Sequence, residues 1–185
     1  MFVQHLAGGE IRLVTSASDL TAASACEFAF LRRVDQRLGR DVEVPDNDDA
    51  MRARAARLGD VHEARVLAAY VARFGRGSAG ESGGVVELPP RGAMTEDALT
   101  ELAEQSRLAL AGGADIVFQA TFFDPEVRAA DPRTGDPAIG FVGFADFLAR
   151  TADGAYEVQD SKLARSAKVT ALMQLAAYAE QIERI

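Results

Sequence analysis

The chain has 185 residues, 48% of them hydrophobic and 26% charged, with a formal net charge of −8. These values suit one globular domain with a real core and exclude a disordered, collagen-like or coiled-coil chain. No apolar run reaches the ~20 residues of a membrane span, and the acidity argues against a protein that coats nucleic acid nonspecifically. A nucleic-acid enzyme stays open, because a metal site needs clustered carboxylates. Residues 1–10 show no basic segment followed by an apolar stretch, so no secretory signal is expected. A single cysteine, Cys26, permits no intrachain disulfide, and a reducing cytoplasm is the expected compartment. Lysine occurs only at 162 and 168, so 18 of the 20 basic residues are arginine.

Residues 11–14 are a short apolar run, read as a strand. Ser16, Ser18 and Asp19 offer N-cap chemistry for a helix running to about Leu38, and Gly39 suits its C-terminal stop. Residues 41–49 hold Pro45 and several acids and read as a solvated loop. A second helix spans about 50–74 and stops at Gly75. Residues 75–84 are rich in Gly and Ser and are expected to be mobile. Residues 85–88 form a short strand ended by Pro89 and Pro90. Thr95 caps a helix that opens on Glu96 and Asp97 and ends near Gly112 and Gly113.

The period then changes. Residues 116–123 are β-branched and aromatic, which predicts a strand. Residues 124–137 contain three prolines and read as a loop, and 139–149 as a further strand. Asp153-Gly154 is a strong hairpin signal, leading into a strand over 156–163. A last helix spans about 167–185, with Leu172, Leu175, Ala176 and Ala179 at helical spacing. The fold class is α/β, with a small mixed sheet flanked by helices.

The chemistry concentrates on Asp146 and the tripeptide Asp160-Ser161-Lys162. Side chains alternate along a strand, so Asp160 and Lys162 share a face. The Asp153-Gly154 hairpin lays the Asp146 strand against theirs and brings the two carboxylates to one spot. Such a pair repels unless a cation binds, and oxygen ligands of this kind suit Mg²⁺ or Mn²⁺. A lysine beside them can stabilise charge developing on a phosphate. The alternative is an exposed Asp160–Lys162 ion pair. Against it stands the apolar run Phe141-Val-Gly-Phe-Ala-Asp-Phe-Leu148, where a lone buried carboxylate is costly.

His62, on the second helix, could add a nitrogen ligand, or could be an ordinary hydrogen-bonded histidine. Its neighbour Glu63 reads as a helix-surface acid. Gln174 and Tyr178, four apart on the last helix, share a face. Beside a metal site they could contact a phosphate or a base; otherwise they are a polar residue and a half-buried ring.

Taken together, His62 after Gly59, the Gly143-Phe-Ala-Asp146 strand, Asp160-Ser-Lys162 and Gln174-x-x-x-Tyr178 resemble the RecB-like nuclease domain of the PD-(D/E)XK superfamily. The segments Cys26-Glu-Phe-Ala-Phe-Leu-Arg-Arg33, Leu58-Gly-Asp-Val-His-Glu-Ala-Arg65 and Gln119-Ala-Thr-Phe-Phe-Asp124 are similar to the N-terminal nuclease domain of bacterial RecB-like nucleases fused to a helicase. The resemblance implies that His62, Asp146 and Asp160 bind Mg²⁺ or Mn²⁺, with the Ser161 carbonyl as a further ligand. Lys162 becomes the catalytic lysine, and Gln174 and Tyr178 contact DNA, single-stranded or at duplex ends. The implied activity is metal-dependent hydrolysis of DNA phosphodiester bonds by an activated water, in repair or recombination, with a helicase domain in cis as partner and no membrane.

Arg32, Arg33, Arg52, Arg54, Arg57 and Arg65 are candidate phosphate contacts, because arginine forks onto phosphate. Some relatives hold an iron–sulfur cluster, but with one cysteine this chain cannot complete it, and a buried structural thiol is the expected role of Cys26. The superfamily core adds a strand after the last helix, so the chain reads as a single nuclease domain from the N-terminal part of a longer protein. The competing function is a catalytically inactive nucleic-acid-binding or partner-docking domain of the same fold. A metal enzyme acting on a small phosphoester is a third reading.

Overall fold

The computed structural model of the chain describes residues 1–44, 50–161 and 169–184. The fold is mixed α/β. In chain order it runs β1 (Phe2–His5), β2 (Ile11–Ser16), α1 (Ala17–Ala25), α2 (Glu27–Arg37), α3 (Ala50–Phe74), β3 (Val85–Glu87), α4 (Glu96–Gly112), β4 (Ile116–Arg128), β5 (Ala138–Arg150), β6 (Tyr156–Gln159) and α5 (Val169–Glu183). The chain packs into two compact units. The first is Met1–Asn47 with Phe123–Gly143, and the second is Asp48–Phe122 with Phe144–Ile185.

In the first unit β2 lies between β1, antiparallel to it, and the start of β5, parallel to it. Leu13, Val14, Ala17, Phe141 and Val142 are buried there. The expected caps form. The backbone N–H and hydroxyl of Ser16 both donate to the Asp19 carboxylate, at 2.9 and 2.7 Å, which fixes the start of α1. Gly39 adopts φ 78° and stops α2.

Two expectations change here, and one strand is added. The helix expected from Ser16 to Leu38 is two helices, because Cys26 is extended (φ −162°, ψ 102°) and caps α2. Cys26 is exposed and not a buried thiol; at the break between helices its side chain has no core to enter. β1 is a strand that its four-residue length hid from periodicity.

The second unit holds the larger core. β5 pairs antiparallel with β6, β4 is the neighbour of β5, and β3 runs parallel to the start of β4. Alternation along these strands feeds two clusters. Val85, Ile116 and Phe147 are buried on one side, packed by Val66, Leu67, Tyr70, Val71 and Phe74 of α3. Val86, Val117, Ala120, Phe122 and Leu148 are buried with Ala109 of α4, and Tyr178 and Ile182 of α5 pack against them. Burying side chains the size of Phe147 or Ile116 stabilises the fold by about 1.5–3 kcal/mol each.

The loop expected to be mobile is tied down by backbone bonds from Gly77 to Val85 and from Gly83 to Gly113. A Cβ on Gly112 would meet backbone atoms of Gly80 and Glu81 at 2.7–2.9 Å, so that close approach requires glycine. β4 runs to Arg128, further than the expected 116–123, because residues 131–136 close a hairpin into β5 through an Asp131–Asp136 bridge. β6 ends at Gln159, so Asp160 and Ser161 follow the strand instead of lying in it. Lys162 and the rest of the expected strand end lie outside the described residues. Among the described residues no helix is long and apolar enough to cross a membrane.

Candidate functional site

The stripe of α3 that enters the core, Val66, Leu67, Tyr70, Val71 and Phe74, continues one turn earlier at His62 and Glu63. Burying the stripe therefore aims both residues at the same sheet, and both are half-buried. From the other direction, Gly154 adopts φ 89° in the turn after β5, and the hairpin pairs Phe147 with Gln159. Asp146 and Asp160 are the residues next beyond that pair, and their side chains meet there.

Asp146 is the electrostatic centre. Its Oδ2 accepts a hydrogen bond from the Ser161 backbone N–H at 3.2 Å and from the Ser161 hydroxyl at 3.3 Å. Its carboxyl is nevertheless pushed up to about 6. Burial is the largest cause, and the carboxylates of Asp160 and Glu63 add to it, while the Ser161 bond opposes it. His62, Val66, Phe147, Gln159, Asp160 and Ser161 line a small open cleft. Asp146, Asp160, His62 and Ser161 thus come together in one unit.

Glu63 is more than a surface acid. It accepts a hydrogen bond of 2.5 Å from the Gln119 amide. Gln119 is the one non-glycine residue with positive φ among the described residues, at 60°. Such a backbone costs a side-chain-bearing residue about 1–2 kcal/mol. Alternation slips there: Ile116 and Phe118 face α3 and Val117 faces away, but Ala120 and Phe122 join Val117. That slip of one residue is what a β-bulge produces, a feature common beside active sites. A second slip falls on β5 between Ala145 and Phe147, which places it at Asp146.

Tyr178 stacks on Phe122, with ring centroids 6.1 Å apart. Burial raises its hydroxyl above the ordinary tyrosine range, and a hydrogen bond to the Phe144 backbone opposes this. Its hydroxyl feels Arg91 on one hand and Asp146 and Asp160 on the other. The Arg91 guanidinium lies 4.3 Å from the Phe144 ring centroid. Gln174, one turn before Tyr178 on α5, is half-buried. Of the arginines expected as phosphate contacts, Arg33, Arg57 and Arg65 are exposed and Arg32 is half-buried. The side chains of Arg52 and Arg54 lie outside the described residues. Sequence gave no signal for Arg91, Tyr70, Gln159 or the Gln119–Glu63 pair.

The donor chemistry suits a hard divalent cation. Two carboxylates meet at Asp146 and Asp160, an imidazole lines the same cleft, and Ser161 orients one acid. Among the described residues no three acidic, histidine or cysteine side chains come close enough to enclose an ion. Mg²⁺ is commonly held by one or two carboxylates with its remaining positions left to water and substrate phosphate, so an open pair fits it.

No protein-family model, curated protein or solved structure matches the chain.

Proposed function

We propose that the second unit is a metal-dependent nuclease that hydrolyses DNA phosphodiester bonds, with the PD-(D/E)XK arrangement its motifs resemble. One observation carries this reading. Asp146, half-buried and braced by Ser161, faces Asp160 beside a cleft lined by His62. Burial holds the Asp146 carboxyl above its ordinary range, Asp160 and Glu63 add to this, and a divalent cation would relieve it.

Asp146 and Asp160 would hold Mg²⁺ or Mn²⁺, with His62 in reach of the same cleft. When bound, the cation would supply Lewis-acid polarisation of a phosphodiester and neutralise its charge. Ser161 would hold one Asp146 oxygen fixed beside the ion. Lys162, adjoining in sequence, would stabilise charge developing on the scissile phosphate. Tyr178, Gln174 and Arg91 would seat the strand. Helicase association in cis, a cytoplasmic location and a role in repair or recombination belong to the same proposal and follow from the resemblance.

The second reading is a catalytically inactive nucleic-acid-binding domain, favoured by the lack of an enclosing ligand set among the described residues. One experiment separates the two. Wild type and Asp160→Asn are incubated with single-stranded and duplex DNA in Mn²⁺ or Mg²⁺, and melted with and without Mn²⁺. The nuclease reading expects cleavage and a metal-dependent rise in Tm, both lost in Asp160→Asn. DNA binding with no cleavage and no metal-dependent Tm selects the inactive domain.

A further inference from the structure

We propose that Gln119 is a positioning residue, holding the Glu63 carboxylate in place as an auxiliary negative charge for a divalent cation at Asp146 and Asp160. The inference rests on the metal-site reading above and deepens it.

The backbone is the first argument. A residue at φ 60° in the middle of a strand is favoured as glycine, or as asparagine among side-chain-bearing residues. Gln119 is neither, and it sits where the alternation of β4 slips. Strained backbone of this kind persists only where the surroundings over-determine it, and it gathers at functional sites. The side chain supplies the reason for keeping a glutamine. Its Nε2 donates to Glu63 Oε1 at 2.5 Å, across 56 residues of sequence. Regular alternation would give the amide a different direction; the slip turns it onto α3.

The target is the second argument. Glu63 follows His62 on the helix stripe that enters the core, and His62 lines the cleft together with Asp160. A flexible glutamate would swing toward water and away from two other acids. The Gln119 amide opposes that by neutral hydrogen bonding, which holds the carboxylate in place without cancelling its charge. A salt bridge would have cancelled it. Partners that orient metal-site acids in this way commonly account for 10–100-fold in metal affinity.

The role gives two readouts that a structural role would not separate. Gln119→Gly relieves the backbone strain while removing the amide. It is expected to melt near the wild-type temperature without metal, yet to bind Mn²⁺ about tenfold more weakly by calorimetric titration. Glu63→Gln is expected to weaken Mn²⁺ by a similar factor, and the double variant to lose no more than either single one, because the two residues act as a unit. Wild-type Mn²⁺ affinity in Gln119→Gly, or additive losses in the double variant, overturns the inference while leaving the metal site standing. Failure of wild type to bind Mn²⁺, or equal binding by Asp160→Asn, overturns the metal site and this role together.

Discussion

Tyr70 of α3 donates a 2.5 Å hydrogen bond to Gln159, the residue immediately before Asp160. The bond joins residues 89 positions apart. It ties the helix that carries His62 and Glu63 to the end of the strand that delivers Asp160. The Tyr70 ring packs on Phe147, with centroids 5.4 Å apart, so the hydroxyl is aimed by the core itself. Tyr70→Phe keeps that packing and removes the bond. Expected is a loss of about 1 kcal/mol in denaturant unfolding, a fall in Tm of roughly 2–4 °C, and a weaker Mn²⁺ response than wild type. An unchanged unfolding midpoint would mean the bond contributes nothing to holding the site.

The Asp146 carboxyl sets a pH dependence. In the folded protein it titrates at about 6, raised by burial and by Asp160 and Glu63. In an unfolded chain an aspartate titrates near 3.9. Below that value both states are protonated. Between the two values the folded state keeps a proton that the unfolded chain has lost. The stability contributed by this protonation is fully present at low pH and is lost as pH rises through about 6. A cation competes with the same proton, so Mn²⁺ affinity is expected to rise about tenfold from pH 5 to pH 7 for one displaced proton. Titration calorimetry at both values checks this, and equal Mn²⁺ affinity at pH 5 and pH 7 would overturn it.

Lys162 separates catalysis from metal binding. Removing a metal-site acid should abolish both the metal-dependent Tm shift and DNA cleavage. Lys162→Ala should keep the Tm shift and slow cleavage by about 10²–10³-fold, as for one preorganised electrostatic donor. Equal cleavage by wild type and Lys162→Ala would make the Asp-Ser-Lys match coincidental.

Arg91 lies over Phe144, two residues before Asp146, and its charge acts on the Tyr178 hydroxyl. A cation on an aromatic face beside two acids is placed to meet a phosphate without filling the cation site. Arg91→Ala is expected to weaken single-stranded DNA binding similarly for all sequences and to reduce the slope of log affinity against log salt by about 0.7–1. Fluorescence anisotropy over a salt series measures both. A variant with the wild-type salt slope would remove Arg91 from the interface.

What the sequence determined by itself was local. Asp153-Gly154 permits the tight turn that pairs β6 with β5 and brings Asp160 to Asp146. Ser16 with Asp19, Thr95 and Gly113 end their helices as their chemistry requires. Each of these depends on residues within a few positions of one another, where spacing is geometry. The break at Cys26, the strand at 2–5 and the extension of β4 to Arg128 depended on what lay alongside them. So did Glu63 with Gln119, Tyr70 with Gln159, and Arg91 over Phe144. A glutamine in a left-handed bulge carries no local signature, because the conformation favours glycine and is held there by packing from elsewhere. Only tertiary structure decided those pairings, since each partner's position is set by a different element and the free energy that joins them is gained only once both elements are in place.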